Sequence, residues 1–424
     1  MESYAKVLSL AIPFFIVLIL IEEYIGRRMG RSVNRGMDTI SSLSSGMTNT
    51  LKEMLGLSVV IFSYQYMVEA VGIFDIKSSI FLYIAAFIGI DFAGYWSHRF
   101  NHEINLFWNR HIIHHSSEEF NLACALRQSI SDTFGIYFFL YLPLAFVGVP
   151  FKIIAVVAPL HLFAQFWYHT RLIEKMGFLE YFMVTPSHHR VHHAINNKYL
   201  DKNYGQILIL WDKWFGTFQE ELPQEKAVFG IKKPAQTWNP ILINYQHLWQ
   251  LLKDGFRTAS WRDKLTLWFR RTGYRPADVQ KQYPVTITER AEEQIKYDTP
   301  SSKTFLYWSW LQLAIHNLML FHLLNAVGDL STSQLITYGI FLFFSISSYT
   351  SLMDRSLLAI PAELIKLALG IYILLMMNNW FNIENYIPHL ATFIAIYLGM
   401  SLLLSLYFIK AEALEKQTVK LKLT

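Results

Sequence analysis

The sequence SIFLYIAAFIGIDFAGYWSHRFNHEINLFWNRHIIHH fills residues 79–115 and joins an apolar run to five histidines. Residues 79–97 carry a single charged side chain, Asp91. A hydrocarbon core about 30 Å thick is crossed by roughly 20 such residues in a helix. The segment therefore predicts a membrane-spanning helix that ends in a group of metal-binding side chains.

The composition of the whole chain points the same way. Of its 424 residues, 53% are hydrophobic and only 16% are charged, whereas soluble domains average roughly 25% charged residues. This balance predicts an all-α, polytopic integral membrane protein. Its apolar runs predict about nine spans, at residues 5–24, 54–74, 79–97, 130–148, 151–169, 304–327, 333–352, 357–378 and 387–409.

Basic residues predict how the chain is oriented. The first span is too long for a signal-peptide core, which indicates a retained anchor, and it is followed by Arg27, Arg28, Arg31 and Arg35. Since Lys and Arg concentrate in cytoplasmic loops, residues 98–129, 170–303 and the tail after Lys410 are expected on the cytoplasmic side, with 130–169 as a hairpin or re-entrant pair. We expect a metal site at the cytoplasmic face of a bacterial inner membrane or of the endoplasmic reticulum.

The distribution of apolar and polar segments divides the chain into four regions. Between the two membrane blocks lies a proline-containing polar stretch, and its residues 261–271 mix Trp and Phe with Arg and Lys, as a helix lying in the membrane interface does. The predicted regions are an N-terminal membrane anchor region (1–75), a histidine-box domain (76–217), a polar connector with an interfacial helix (218–303) and a C-terminal four-span region with a basic tail (304–424).

Several protein classes are excluded by simple counts. The single cysteine, Cys124, rules out a disulfide framework, a cysteine-based zinc site and an iron–sulfur cluster. The net charge of +5 is modest, and the basic residues border apolar segments instead of forming one stripe, so lipid head groups are expected as partners and nucleic acid is not. Metal chemistry in this chain must rest on histidine and carboxylate.

Histidines are strongly clustered. Eleven of the fifteen fall between residues 98 and 193, and most of them form the boxes His98xxxHis102, His111xxHis114His115 and His188His189xxHis192His193. A spacing of three or four places side chains on one helix face, where one ion can take both. The third box offers two such pairs, rotated by about 100° around the helix, so it can face two ions.

The clusters predict a two-metal site. Close imidazoles repel when protonated and cost free energy when buried without partners, and bound cations remove both problems. We predict the ligands to be His98, His102, His111, His114, His115, His169, His188, His189, His192 and His193. So many imidazoles, with coordination left open for dioxygen, favour two iron ions, while copper and zinc stay open on chemistry alone.

Other titratable residues receive weaker assignments. Glu103, beside His102, is expected to orient a ligand imidazole. Orientation of a ligand, direct ligation of a metal, and solvation or helix capping all stay open for Glu118, Glu119, Asp201 and Asp212. His161 is expected to pack. The isolated residues His247, His316, His322 and His389 are interpreted as hydrogen-bonded core histidines.

The order and spacing of the three boxes, flanked by spans, resemble the fatty acid hydroxylase and sterol desaturase superfamily. Asn203-Tyr204-Gly205 and the segment from Trp211 to Thr217 resemble the stretch that follows its last box. Within it the chain is most similar to the ether-lipid-cleaving branch. That similarity rests on Asp91-Phe92-Ala93, the stretch from His114 to Ser129, Gln165-Phe166-Trp167 and the stretch from Thr185 to His193.

The resemblance implies an integral membrane monooxygenase that hydroxylates the carbon beside the ether oxygen of a glyceryl ether. It implies dioxygen, non-heme iron and tetrahydrobiopterin as participants and a fatty aldehyde as product. Electrons must come from an external reductant, since the chain has no dinucleotide-type glycine fingerprint and no ferredoxin cysteine set. The lipid is expected to enter from the bilayer, with its head group near Arg127 and Gln128.

Two other functions share part of this sequence pattern. A related hydroxylase or desaturase would act on a sterol, fatty acid, sphingoid base or carotenoid with electrons from cytochrome b5 or ferredoxin. A metal transporter or metal-storage protein would place ionisable residues at mid-membrane depth in several spans. Here the histidines cluster at span ends, which disfavours transport.

Overall fold

The computed structural model describes residues 2–385 and 387–423, excluding the side chains of residues 3, 4, 382, 385 and 413–423. Within these ranges the chain is helical, and its extended segments meet only in isolated bridges such as that between Val59 and Phe134. The predicted all-α class is confirmed. The side chains of Lys416, Lys420 and Lys422 in the predicted basic tail lie outside the described set.

Eighteen α-helices follow one another along the described chain. Short 3-10 turns, among them Cys124–Leu126 and Ile136–Tyr141, join some of them. The helices are α1 (Glu2–Arg28), α2 (Gly36–Met54), α3 (Tyr64–Val71), α4 (Ile80–Glu103), α5 (Asn105–Trp108), α6 (Ile112–His115), α7 (Leu142–Val147), α8 (Phe151–Phe163), α9 (Pro186–His192), α10 (Leu210–Phe215), α11 (Pro240–Arg257), α12 (Trp261–Thr266), α13 (Ala277–Gln282), α14 (Lys303–Ala326), α15 (Thr332–Met353), α16 (Ala359–Met376), α17 (Asn378–Asn382) and α18 (Leu390–Leu423).

Five helical segments among the described residues are long and apolar enough to cross a membrane. They correspond to the predicted spans at 5–24, 79–97, 333–352, 357–378 and 387–409, and they comprise Ala5–Arg28, Ile80–Glu103, Thr332–Met353, Ala359–Met376 and Leu390–Glu412. The structure thus confirms a multi-spanning chain.

Helix length alone does not show the predicted count of nine spans. Residues 54–74 contain only the eight-residue α3, residues 130–148 contain a 3-10 turn and the short α7, and residues 151–169 contain the 13-residue α8. Gly148, with a φ of 90°, and the following Pro150 separate α7 from α8, at the boundary that the sequence predicted between the spans 130–148 and 151–169. The 24-residue α14 is long enough, but Gln312, His316 and other polar residues keep it out of the five.

Serine side chains mark where the long helices begin. The hydroxyl of Ser79 accepts a hydrogen bond from the backbone N–H of Leu82 at the start of α4, and that of Ser302 accepts one from Phe305 at the start of α14. Such caps satisfy backbone groups that the first helical turn leaves free. The cap at Ser79 fixes where α4 starts, and the helix then runs 24 residues to deliver its histidines.

Helix α2 connects the two halves of the molecule. It packs against α14 and α15 of the C-terminal bundle and against the turn at Cys124–Leu126. Its buried face is rich in serine, which permits close helix approach, and the hydroxyl of Ser44 lies 2.6 Å from that of Tyr349. The N-terminal region is therefore part of the core that supports the histidine boxes, not a detached anchor.

Candidate metal centre

The histidine boxes converge on one buried region. Helix α4 supplies His98 and His102 from its last turns, the segment around α6 supplies the second box, and α9 supplies the third. His169 arrives from the segment that follows α8. Every predicted ligand except His111 and His114 is buried, and those two are half-buried.

The imidazoles fall into two groups. One contains His98, His102, His111, His115 and His192, and the other contains His114, His169, His189 and His193. Within each group the candidate ligand nitrogens lie within 4.8 Å of one another. The second and third boxes each contribute to both groups, so the two sites are built as one unit, and the rings of His115 and His193 stack at 4.2 Å between them.

His188 is the one predicted ligand that lies outside both groups. Its Nδ1 is 3.1 Å from the carbonyl oxygen of Met183, and its Nε2 is 3.9 Å from a carboxylate oxygen of Glu180. Spacing alone pairs His188 with His192, but the rotation of α9 turns His188 away from the centre. The structure thus brings together nine of the ten predicted ligands.

In several pairs of neighbouring imidazoles, the Nε2 atoms of the two rings face each other. The Nε2–Nε2 distance is 2.9 Å for His98 and His111, 3.1 Å for His102 and His115, and 2.9 Å for His169 and His189. Adjacent ligands at right angles, each about 2.1 Å from a shared ion, stand about 3.0 Å apart. The observed spacings therefore fit ligands that surround cations.

Backbone carbonyls fix the orientation of four of these rings. The Nδ1 atoms of His98, His114, His169 and His192 lie 2.8–3.2 Å from the carbonyl oxygens of Tyr204, Arg127, Gln165 and Lys202. A carbonyl only accepts, so Nδ1 donates and the Nε2 lone pair is left free for a metal. Nε2 lone pairs that face one another repel unless a cation lies between them. The orientation of these four rings therefore suits coordination of a metal ion.

Burial also keeps the imidazoles neutral. It lowers the pKa of His111, His115 and His193 well below the usual value, and the neighbouring imidazoles lower each pKa further by like-charge repulsion. The pKa of His114 is lowered to about 4, again chiefly by burial. These groups are therefore unprotonated at pH 7, the state in which histidine binds metal.

The orienting role predicted for Glu103 is not accompanied by a hydrogen bond to a ligand imidazole among the described residues. The Glu103 carboxylate accepts a hydrogen bond from Arg99 at 3.0 Å and is not brought to a ligand imidazole. Asp212 does not contact a ligand imidazole directly but holds the backbone beside one. Its carboxylate accepts hydrogen bonds from the backbone N–H groups of Tyr204 and Gly205, both at 2.7 Å. It thereby holds the loop whose carbonyl orients His98.

Sequence reasoning missed the carbonyl contacts and one buried ion pair. Arg127 and Asp38 are paired at 2.8 Å with side chains about 2% exposed, and Arg127 also donates to Ser42 and Ser116. Arg127 is thus committed inside the protein, not free to meet a lipid head group. Only its position within the segment 125–129 of the resemblance signalled that it matters.

An apolar cavity of about 830 Å³ opens onto both histidine groups. Its wall includes Phe15 and Leu8 of α1, Phe163 of α8 and Leu320 of α14, and the histidines that it reaches are His98, His111, His114, His169 and His189. The ring centroids of Phe15 and Phe166 are 4.4 Å apart, and Phe166 lies three residues before His169 in the sequence. The apolar wall of the cavity therefore extends to the metal centre.

The remaining histidines lie outside both groups. The Nε2 of His161 is 2.7 Å from the carboxylate of Asp91, with which it forms a buried hydrogen-bonded pair. The Nε2 of His247 is 2.7 Å from the carbonyl oxygen of Asn105, and the Nδ1 of His316 is 2.7 Å from that of Gln312. His322 and His389 are likewise absent from the two groups.

Buried histidine boxes at the end of a membrane helix, beside an apolar cavity, define a membrane protein with a candidate metal centre that an apolar molecule can reach. Residues 83–217 match the model of the fatty acid hydroxylase family. No solved structure matches the chain.

The chain is also similar over most of its length to three alkylglycerol monooxygenases. It is 32% identical to that of Homo sapiens, covering 92% of this chain and 87% of the relative. It is 32% identical to that of Danio rerio (99% and 92%) and 30% identical to that of Xenopus tropicalis (88% and 83%). The chain belongs to the alkylglycerol monooxygenase family, and it is a membrane oxidoreductase whose histidine groups fit a di-iron site.

Proposed function

We propose that this protein hydroxylates the ether-linked alkyl carbon of glyceryl ethers and releases a fatty aldehyde. The observation that carries the proposal is the apolar cavity of about 830 Å³ that ends on both histidine groups. Its size falls in the usual range of small-molecule pockets, and its wall suits one long alkyl chain. The names of the relatives support an ether substrate.

Two iron ions would be held by the five-histidine and the four-histidine group. Bound iron supplies the activation of dioxygen that insertion of one oxygen atom into a C–H bond requires. The reaction consumes the ether, one dioxygen, two electrons and two protons, and it yields the α-hydroxy ether and water. That product is a hemiacetal, whose C–O bond to glycerol then breaks to give the aldehyde and free glycerol.

The residues of the chain bind and orient the reactants. Apolar side chains such as Phe15 and Phe166 bury the alkyl chain and exclude water from the centre. The carbonyls of Tyr204 and Arg127 hold His98 and His114 with Nε2 turned inward. Both contributions position the substrate carbon and the ligands without taking part in bond making.

Tetrahydrobiopterin enters the proposal as the two-electron reductant. A reduced pterin ring needs hydrogen-bond donors and acceptors beside the centre, and the amide side chains of Gln165 and Gln206 meet these needs. Both line the cavity, the Gln165 Nε2 donates to the Gln206 Oε1 at 3.3 Å, and the Gln206 Nε2 has no hydrogen-bond partner among the described residues. They would hold the pterin on the side of His169 and His189.

The proposal includes the location of the centre at the cytoplasmic face. Arg31, in the basic segment after α1, pairs with Glu174 at 3.0 Å, and Glu22 accepts a hydrogen bond from Thr170. The end of α1 and the segment after His169 therefore share one level, and the excess of arginine at that level favours the cytoplasmic side. Tags in the connector and after Lys410 should both be accessible from the cytoplasm.

The interfacial helix proposed for the connector is supported by exposed aromatic residues. Trp261 is 76% exposed and Phe269 is 68% exposed, while Arg262 and Lys264 lie beside them in sequence. Exposed aromatic side chains among basic ones suit the head-group region of a membrane. This favours a connector that rests on the bilayer.

Aldehyde release from a 1-O-alkylglycerol tests the function directly. Purified protein supplied with tetrahydrobiopterin should form fatty aldehyde, and omission of the pterin should stop it. The matched ester, in which a carbonyl replaces the ether CH₂, has no C–H bond at that carbon and should bind without turnover. Hydroxylation of a sterol or free fatty acid, with no action on the ether, would refute the proposal.

A further inference from the structure

A second, smaller cavity meets the apolar one at the metal centre. It has a volume of about 260 Å³ and a polar wall that includes Lys52, Glu53, Arg110 and Asp132. The two cavities share the wall residues Asn49, Asn101, His111, His114 and Gln128. A molecule that is apolar at one end and polar at the other can therefore lie in both cavities and cross the centre at their junction.

The charges of this polar recess cancel. Lys52 pairs with Glu53 at 2.9 Å, and Arg110 pairs with Asp132. Arg127, which also borders the recess, is paired with Asp38. A recess without net charge suits hydroxyl groups, because a phosphate would find no cation that is free of a carboxylate partner.

Amide groups at the junction have hydrogen-bonding capacity left over. The Asn101 Oδ1 accepts a hydrogen bond from the Tyr137 hydroxyl at 2.5 Å, and the Gln128 Nε2 donates to the carbonyl of Ala125 at 2.9 Å. The opposite ends of these two amides, and the whole amide of Asn49, have no hydrogen-bond partner among the described residues. These are the groups that a glycerol hydroxyl would meet.

We propose that the polar recess is the head-group subsite, and that Asn49 and Gln128 are positioning residues that select the carbon to be oxidised. This inference rests on the proposed function. Apolar burial has no direction, and the methylenes of an alkyl chain are alike, so the apolar cavity alone cannot fix which carbon stands at the centre. Hydrogen bonds to the glycerol hydroxyls fix that register and hold the ether-linked carbon beside His111 and His114.

The test replaces Asn49 with leucine, an apolar side chain of similar size. With 1-O-alkylglycerol as substrate, Asn49→Leu should raise KM about tenfold, as the loss of one or two hydrogen bonds does. It should also shift product from fatty aldehyde toward ethers hydroxylated further along the chain, which mass spectrometry separates. The KM for tetrahydrobiopterin and the iron content should stay at the wild-type values.

Two further variants keep the test decisive. Gln128→Leu should reproduce the shift in products if Asn49→Leu does not fold. The matched control is Asn325→Leu on α14, an exposed asparagine outside both cavities, which should leave KM and products unchanged. The 3-phosphate of the same alkylglycerol should be a poorer substrate, because the recess offers no unpaired cation.

Each result has one meaning. If the wild-type protein releases no aldehyde from alkylglycerol, the proposed function fails. If it releases aldehyde and the Asn49 and Gln128 variants keep wild-type KM and products, only the head-group subsite is refuted. A rise in KM for tetrahydrobiopterin in place of that for alkylglycerol would also overturn the inference, since it would place the reductant in the recess.

Discussion

Two sets of polar side chains are buried in this protein, and they are built in opposite ways. The histidine centre brings like atoms together, with Nε2 facing Nε2 at about 3 Å in several pairs. The C-terminal bundle brings unlike groups together, with Lys366 2.9 Å from Glu363 and 2.6 Å from the hydroxyl of Ser401. Only the first set requires an outside cation to be stable.

The difference separates a chemical role from a structural one. Facing acceptors that border a cavity form a site that a ligand must complete. Donors paired with acceptors, as in the bundle where the Tyr397 hydroxyl donates to Gln312 at 2.5 Å, hold helices in register. We therefore expect variants of the centre to lose metal and activity, and variants of the bundle to lose stability alone.

The largest expected effect is at the centre. His189→Ala removes a ligand of the four-histidine group, so activity should fall to background and bound iron should decrease. Expression and membrane insertion should persist, because α9 stays packed. His316→Ala is the control from the bundle and should keep its iron, and iron loss in that variant would break the distinction between the two sets.

A large stability effect is expected in the bundle. Lys366→Met leaves Glu363 buried without its cation, and breaking such a pair costs about 3–5 kcal/mol. Thermal unfolding in detergent should show the loss, while turnover per folded molecule stays near the wild-type value. The double variant Glu363→Gln with Lys366→Met should recover much of the stability. Loss of turnover in the folded fraction would give the bundle a chemical role.

A smaller effect is expected where bundle and cavity meet. Leu320 of α14 and Leu8 of α1 lie at the far end of the cavity, since Glu2 contacts Gly328 and Phe15 contacts Phe166 near His169. Leu320→Ala should shift the preference toward longer alkyl chains by a few-fold. The control Leu323→Ala is equally buried but does not line the cavity, so an identical shift there would remove α14 from substrate selection.

The smallest effect is expected at Glu103. Its carboxylate makes a half-exposed ion pair with Arg99, and such pairs are worth about 0–1 kcal/mol. Glu103→Gln should therefore change both stability and turnover little. A large fall in turnover, measured at constant iron content, would restore the orienting role that the sequence suggested.

The sequence predicted the parts of the fold that depend on local pattern. It predicted nine residues that the structure brings together in the two groups, most of them through box spacing, because side chains three or four apart on a helix share a face. It failed for His188, since the direction of a side chain from α9 depends on how that short helix packs. It did not reveal that the apolar runs 130–148 and 151–169 contain only a 3-10 turn and short helices, because composition does not fix helix length.

The groups that orient the histidines could not be predicted from local sequence pattern. The backbone carbonyls of Tyr204 and Lys202 orient His98 and His192. Because every residue has a backbone carbonyl, such contacts cannot be recognised from residue types. The pairing of Asp38 with Arg127 joins positions 89 residues apart, which spacing does not reveal. Similarly, the apolar pattern of α1 predicts a membrane anchor but does not reveal that this helix packs against α14 and lines the cavity.

Metal analysis of the purified protein tests the central claim most directly. The two histidine groups predict about two irons per chain in the wild-type protein, the same content in His188→Ala, and less in His189→Ala. Recovery of one tightly held zinc without iron-dependent turnover would contradict the account, and so would loss of iron in His188→Ala.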